Sequence, residues 1–540
     1  MFCRVTTNRG QGAHAPGNRA SHRKARYACV MASSTLISAC AVGPDYHPPP
    51  LAIPETWGES LPSPSAPGGA TPVRSDLSRW WHGFRDQRLN WLVEQATNAN
   101  PDVHMADARI SAARAELQSA GAAFWPDLNA SGGYQRMRIS PNAIKGLFGA
   151  FESNEESGNG ASSLFSRLGP IGRPFNMFQT GFDSSWELDL FGGIQRRQEA
   201  TEAEYAARVE GRRDALVSLT AEVVRAYFTL NALQRRLSIA NLRLENRRKL
   251  LELAEYSYHE GFAGALDPKR ARTEWEVSAA TPPALEMQIK HTRHALATLL
   301  GLQPSALNQR LGNFASELPE PPVIPAGLPS EVLRRRPDIR RAEREVAAAT
   351  ATLGVAIAEL FPKLSLTGSV GFQSQELSNF TSLSSGFYGF GPRLSLPVFQ
   401  AGRLSANISL QEAKLNEVLN AYQKTCLTAF REVEDALASI NGESRRKASV
   451  ADAEKSAQRT AESAQALYVE GEAELDALLD AQRAWYDTRD ERAQTDLAFA
   501  SSVIGLFKAL GGGWQSENEM AGPQIPNPAG TRPDGPSTGQ

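Results

Sequence analysis

Cysteine is scarce in this chain: four residues in 540, at Cys3, Cys29, Cys40 and Cys426. A framework of disulfides is therefore excluded, and the fold must be held by packing. Long hydrophobic runs are missing too. The longest small-apolar stretch, Ala347 to Phe361, is interrupted by Thr350, Thr352 and Glu359, whereas a membrane-crossing helix needs ~20 consecutive apolar residues. An inner-membrane transporter is excluded on that ground. Charge of one sign is not in excess, with 57 Lys+Arg against 59 Asp+Glu, so the concentrated positive field of a nucleic-acid binder is lacking. Catalytic signatures are lacking as well, with no H-E-x-x-H, G-x-x-x-x-G-K-[ST], C-x-x-C or G-x-S-x-G. His291 and His294 lie three apart on an amphipathic helix without a third ligand. They read as surface residues rather than a metal site, and the chain does not read as an enzyme.

The charge balance hides an asymmetry. Residues 1–39 carry six Lys/Arg and no acid; without them 51 face 59, a net of −8. A basic, acid-free start followed by the modestly apolar stretch Tyr27 to Ala39 has the order of a secretory signal. Cys40 sits where cleavage would fall. Ile37-Ser38-Ala39-Cys40 resembles the bacterial lipobox, whose cysteine becomes the lipidated first residue of the mature protein. Residues 1–39 are thus read as a lipoprotein-type signal peptide. The covalent lipid on Cys40, N-acyl (palmitate) and S-diacylglycerol, replaces any other cofactor. Ala41 stands where an Asp would favour retention at the inner membrane, which implies sorting to the outer membrane. Cleavage removes Cys3 and Cys29 and leaves Cys426 without an intramolecular partner.

A duplication organises the rest. Pro101-Asp102-Val103 and Pro337-Asp338-Ile339 open two segments that align without gaps for 28 residues at an offset of 236, with 11 identities. Each begins as an Ala-rich helical pattern and ends at Trp125-Pro126 or Phe361-Pro362. The period then changes from helical to two. Leu128, Ala130, Gly132 and Tyr134 alternate with polar or small residues, as do Leu364, Leu366, Val370 and Phe372. A second strand follows in each half, Phe178 to Leu190 and Tyr388 to Val398, apolar and aromatic on one face and small, polar or charged on the other. That pattern suits a transmembrane β-barrel strand, and equally a strand half-buried in a soluble sandwich.

The helices that follow decide between them. From Gly193 to Tyr258 there is no proline and one interior glycine, Gly211. Leu216, Leu219, Val223, Ala226, Leu230, Leu233, Leu237, Ala240 and Leu244 step by three and four, a coiled-coil seam. About 65 helical residues span ~100 Å. The same seam recurs at an offset of 210, as Leu419, Tyr422, Cys426, Ala429, Val433, Ala436 and Ile440. Cys426 therefore reads as a small core residue. Four strands cannot close a membrane barrel, and an open sheet edge cannot sit in lipid. Barrel and helices must be shared between copies of the chain, whose number this reasoning leaves open.

At this point the chain resembles the outer-membrane factors of the TolC superfamily, in the lipoprotein branch that includes OprM and NodT. Four signatures carry the resemblance. They are Cys40-Ala41-Val42-Gly43-Pro44-Asp45-Tyr46 with Pro48 to Pro50; Trp80-Trp81 with Phe84, Asp86 and Leu89; the duplicated Pro-Asp helix and strand; and Leu478-Leu479-Asp480-Ala481-Gln482-Arg483 followed by Ala509-Leu510-Gly511-Gly512-Gly513-Trp514. The resemblance implies an α+β membrane protein with an internal duplication. Four strands per chain would contribute to the 12-stranded barrel of a homotrimer, continued by long coiled-coil helices as a periplasmic tunnel. The expected organisation is a signal peptide (1–39), an N-terminal extended segment (40–86), a first repeat (87–301), a connector at an equatorial collar (302–330), a second repeat (331–514) and a disordered tail (515–540). Pro282-Pro283 should break the helix that follows Gly261.

The resemblance also assigns residues. Tyr258-His259-Glu260-Gly261 and Tyr468-Val469-Glu470-Gly471 mark the two helix tips, with Gly261 and Gly471 as partner-docking positions. Asp480 matches an acidic constriction of the periplasmic aperture, with Asp476 and Glu474 as further acids nearby. Asp267 and Tyr468 match a clamp that closes the tip, although Ala473 stands where the TolC-type arginine is found. A ring of carboxylates in a narrow wet pore should favour cations. The implied function is a passive duct exporting small toxic compounds or drugs in a tripartite efflux system. Its partners would be outer-membrane lipid, a periplasmic adaptor (membrane fusion) protein and an inner-membrane pump of RND type, with no nucleic acid. The alternative within the same fold is the duct of a type I protein secretion system.

Overall fold

The computed structural model describes residues 41–50, 53–59, 77–138, 174–308, 311, 319, 322 and 329–514. The expected signal peptide (1–39) and lipidation site Cys40, most of the loop after the first strand, most of the connector and the C-terminal tail lie outside the described residues. In chain order the elements are α1 (Gln87–Ala99), α2 (Pro101–Ala122), β1 (Asp127–Met137), β2 (Phe175–Leu188), α3 (Gly193–His259), α4 (Leu266–Ala279) and α5 (Thr281–Leu299). The second half runs α6 (Pro329–Arg335), α7 (Pro337–Ala358), β3 (Lys363–Ser374), β4 (Gly386–Ser395), α8 (Arg403–Val469) and α9 (Leu475–Ala509).

The duplication holds residue for residue. α2 and α7 each have 22 residues and begin at the two Pro-Asp pairs, 236 apart. α3 and α8 each have 67 residues, 210 apart. The difference of 26 residues between these offsets is the longer segment that joins β1 to β2.

The chain forms two compact units. One comprises the described parts of Met1–Tyr46, Leu117–Ala200 and Ala349–Ala413, and it holds the sheet. Its four strands pair antiparallel in the order β1-β2-β3-β4, leaving β1 and β4 with open edges. The register aligns the faces. Leu128, Ala130 and Tyr134 share a face with Phe178, Phe182, Trp186 and Leu188, and these with Leu364, Leu366, Val370, Phe372, Leu394, Pro392, Phe390 and Tyr388. Opposite lie Asp127, Asn129, Ser131 and Gln135, then Gln179, Asp183, Ser185 and Glu187, then Ser365, Thr367, Ser369 and Arg393. Phe387 is an apolar residue on that polar face, across from Gly371. Because side chains alternate with a period of two, a slip of one residue in any pair would mix the faces.

Among the described residues, most of the apolar face is left uncovered. Leu128, Tyr134, Phe182, Val370, Tyr388, Phe390 and Leu394 are all exposed. A sandwich would bury this face against a second sheet. Seven large apolar side chains in water would be a liability, so lipid is the solvent that fits them.

The other unit comprises His47–Glu116, Thr201–Ala348 and the described part of Lys414–Gln540. Its main core draws on α1, α3, α5, α8 and α9, with Leu89, Leu92, Val93, Val223, Tyr227, Phe228, Leu230, Leu296, Val433, Leu437, Ile504 and Phe507 nearly or fully buried. The predicted seams are inside or half-buried. Val223 and Leu230 of the first and Cys426, Ala429 and Val433 of the second are fully enclosed. Cys426 is a buried free thiol whose pKa burial pushes up, as suits a core residue.

The tryptophan pair is a plug for this core. Trp80 stacks on Phe507 at 4.6 Å, and Phe84 meets Phe228 at 4.8 Å. Asp86 caps α1 by accepting from the Arg88 amide at 2.8 Å, and it also accepts the Tyr227 hydroxyl. The Gly-Gly-Gly-Trp ending closes over the same place. Gly511 and Gly513 take positive φ, +70° and +106°, and the Gly513 amide donates to the Leu77 carbonyl at 2.9 Å.

Four expectations are corrected. Within the segment 40–86, Leu77–Phe84 is a 3-10 helix rather than extended chain, because four of its residues bury into the core. β2 ends at Leu188 rather than Leu190: Asp189 leaves the ladder, and its carboxylate accepts the Gln195 amide at 2.7 Å in the first turn of α3. β4 ends at Ser395 rather than Val398, since Pro397 has no N–H to continue the ladder. Pro282-Pro283 interrupts the hydrogen-bond ladder at Ala280, but Ala280 keeps helical angles (φ −75°, ψ −19°), so the local chain direction is not broken.

Candidate gate at the helix tips

Each long helix ends in the same turn. At the first tip Gly261 has φ +81°, and the Phe262 amide reaches back to the Ser257 carbonyl at 2.8 Å. At the second, Gly471 has φ +79°, and the Glu472 amide reaches the Leu467 carbonyl at 2.9 Å. Both are glycine-terminated helix caps in which a left-handed residue lets the chain reverse. A Cβ on either glycine would meet nothing within 4 Å. The backbone angle is therefore the reason for glycine at both positions.

The two turns present different chemistry. The first exposes two large apolar side chains, Phe262 at 85% and Leu266 at 54%, beside Glu260. The second carries Glu470, Glu472 and Glu474, all exposed. Behind them a small core joins α3, α4 and α9 through Leu250, Ala254, Ala271, Leu475, Leu478 and Leu479, with Tyr468 of α8 packed on it.

All four expected gate residues lie at this end, each in its own setting. Asp480 is 73% exposed, and its carboxylate accepts from Arg483 at 3.1 Å. Asp476 pairs with Arg270 of α4. Burial raises the Tyr468 phenol, and the neighbouring charge of Asp267 raises it further. Among the described residues no hydrogen bond joins those two.

A cross-helix network accompanies them that sequence reasoning missed. Arg483 of α9 donates to Glu274 of α4 at 2.6 Å. Glu274 lies 3.8 Å from Arg247 of α3, whose side chain is 1% exposed and also donates to the Leu479 carbonyl at 3.1 Å. Burial lowers the pKa of Arg247, with Glu274 opposing the shift. Arg247, Glu274, Arg483 and Asp480 sum to zero charge, as do Arg270 and Asp476. The acids that face solvent here are thus partly neutralised by arginines on the same or adjoining helices. Residues 267, 270 and 274 on α4 and 476, 480 and 483 on α9 each give about one charged residue per turn, but neither spacing pairs one helix with the other.

Comparison with known proteins places this architecture. The model of the family described as "Outer membrane efflux protein" matches residues 92–302 and 328–512, one stretch in each half of the duplication. The pyoverdine export outer membrane protein OpmQ of Pseudomonas aeruginosa is 32% identical over 490 residues, 91% of this chain and 97% of that protein. The toluene efflux pump outer membrane protein TtgF of Pseudomonas putida is 30% identical over 491 residues, covering 90% and 96%. Among solved structures, the outer-membrane channel OprN superposes with a TM-score of 0.77 at 32% identity, covering 88% of this chain and all of that one. With a matched sheet whose one face is apolar and bare, duplicated helices ending in twin turns, and these similarities over nearly its whole described length, the chain belongs to the outer membrane efflux protein family.

Proposed function

We propose that the chain forms the outer-membrane duct of a tripartite efflux system. Three copies would pool their strands into a 12-stranded barrel and their helices into a tunnel. The observation that carries this reading is the sheet: one face that is mainly apolar over all four strands, interrupted by Thr180 and Ser184 in β2, with open edges at β1 and β4 that only further copies can close in lipid. The duct supplies no energy; an inner-membrane pump of RND type and a periplasmic adaptor would do so, docking at the tips around Gly261 and Gly471. Cys40 would carry the lipid, and Asp480 would line the aperture, its field reduced by Arg483.

The cargo class is small molecules rather than secreted proteins. The two relatives above are named for pyoverdine export and toluene efflux, which supports small-molecule export and leaves selection among solutes to the pump.

The test is cross-linking in cells from a photoreactive residue placed at Phe262 or Glu472, followed by mass spectrometry of the captured protein. An adaptor together with a proton-driven pump is the expected result. Capture of an ATP-driven exporter would move the function to protein secretion.

A further inference from the structure

The first described residues of the chain are not loose. The Val42 amide donates to the Phe191 carbonyl at 3.0 Å. Arg196, in the first turn of α3, closes over the segment from the other side. Its Nε donates to the Val42 carbonyl at 3.2 Å, and Nη2 donates to the Gly43 carbonyl at 3.4 Å and the Asp45 carboxylate at 2.7 Å. Nη1 donates to Glu199 at 2.8 Å. The Arg196 side chain is 6% exposed.

Three glycines make room for this arrangement. A Cβ on Gly192 would fall 2.6 Å from the Ala41 Cα, and one on Gly43 would fall 2.6 Å from the Gly354 Cα. A Cβ on Gly354 would sit 3.0 Å from the Arg196 side chain. A cation in the first turn of a helix also opposes the helix dipole. Helix formation therefore does not account for Arg196, whereas gripping residues 42–45 does.

The seat lies where the sheet ends. Leu188, Leu364 and Leu394 form the last row of the bare apolar face, and Phe191 follows β2 by three residues. We propose that Arg196, Gly192 and Gly354 form a socket that seats the start of the mature chain and so holds the acylated residue 40 at the foot of the sheet. This rests on the reading of Cys40 as lipidated. Ala41 is the first residue after the acylated position, so seating residues 42–45 beside Phe191 fixes the end of the sheet at which the acyl chains leave the protein. The N-acyl and S-diacylglycerol chains together exceed the single chain that anchors only weakly, and the socket makes this anchor and the sheet act at one place. Arg196 is a positioning residue, acting through the segment it holds.

The experiment compares purified wild type with Arg196→Met, Arg196→Lys, Asp45→Ala, Gly43→Ala and the Arg196→Met/Asp45→Ala double variant. Three readouts are taken: radiolabelled palmitate incorporation, chymotrypsin cleavage after Tyr46 identified by mass spectrometry, and heat stability. Wild type should be labelled and resist cleavage. Arg196→Met should keep the label while cleavage rises about tenfold or more, since the charged hydrogen bond to Asp45 alone, one of three donations to the segment, is worth that much where cleavage follows the open population. Arg196→Lys should restore part of the protection. Gly43→Ala, which leaves Arg196 intact, should expose the same bond and guards against misfolding of the arginine variant. The double variant should lose little more than the larger single, because both act on one contact. Unchanged cleavage in both Arg196→Met and Gly43→Ala, or fully additive losses, would overturn the socket. Absence of label in the wild type would instead remove the lipid, and with it the anchoring role, whatever the cleavage shows.

Discussion

Val370 and Ser369 are neighbours in β3, and arginine at one should behave as the reverse of arginine at the other. Val370 pairs with Phe182 and Tyr388 on the bare apolar face; Ser369 pairs with Asp183 and Gly389 on the polar face. β3 spans Lys363–Ser374, so Val370 lies one to two residues from its centre. At ~3.4 Å per residue and a tilt of about 40°, that is ~4 Å from the bilayer midplane. An arginine there costs ~2–4 kcal/mol per chain, and on the order of three times that for a barrel of three chains. Ser369→Arg faces water instead and stands directly opposite Asp183, a pairing that contributes roughly 0.2–1 kcal/mol of stabilisation. The assay is insertion into lipid vesicles, read as the heat-modifiable band on unboiled gels. Val370→Arg should lose most of that band, and Ser369→Arg should keep it. Equal tolerance of the two, or the opposite order, would refute the assignment of faces.

Other perturbations follow from the tips and the tunnel helices. Asp480→Ala should lower cation preference in planar-bilayer recordings, whereas Arg483→Ala, which unmasks Asp480 and Glu274, should raise it; unchanged selectivity in both would remove this network from the pore. Glu274→Gln leaves the Arg247 guanidinium buried without its carboxylate, a loss of about 3 kcal/mol at the low end for a broken buried pair because Glu274 keeps some solvent. Denaturation of the detergent-extracted protein measures it. Gly261→Val and Gly471→Val force β-branched residues into the left-handed region, costing roughly 1–2 kcal/mol at each tip. They should impair efflux in a susceptibility assay while leaving the oligomer intact on gels. Asp214 has its pKa raised by burial, with Asp338 adding to the shift. A raised carboxylate favours the folded state below its ordinary value of 3.8 and loses that advantage as pH rises through the folded value. Asp214→Asn should therefore raise the melting temperature near pH 7 and change it least at the acidic end.

The repeat, the helices and the strand faces were legible because each is a periodic signal sustained over many residues. The two offsets of 236 and 210 predicted α2 against α7 and α3 against α8 to the residue. Element ends were less legible, since they depend on single side chains such as Asp189, which prefers to accept the Gln195 amide, and Pro397, which cannot donate. The tip turns were readable from glycine alone, as only the backbone angle demands them. The arginines that flank the acids were not. Arg247, Arg270 and Arg483 read as solvated charges along their own helices, and only the packing of α3, α4 and α9 brings them to Glu274 and Asp476. The Arg196 contact with residues 42–45 spans about 150 positions in the chain and leaves no periodic trace. Its one sequence sign is a cation where a helix start favours an anion.

The central claim is that β1 of one chain lies beside β4 of the next. Within a chain these strands are the two edges of the sheet, three strand spacings of ~4.8 Å apart, beyond the reach of a disulfide. One cysteine is placed at Ala130 in β1 and a second is scanned along β4 from Gly386 to Ser395, with Cys426 replaced by serine. Oxidation in intact membranes should yield, at the matching register, a ladder of covalent products that ends at three chains. A ladder continuing beyond three, or chains that stay monomeric at every position, would contradict the shared barrel.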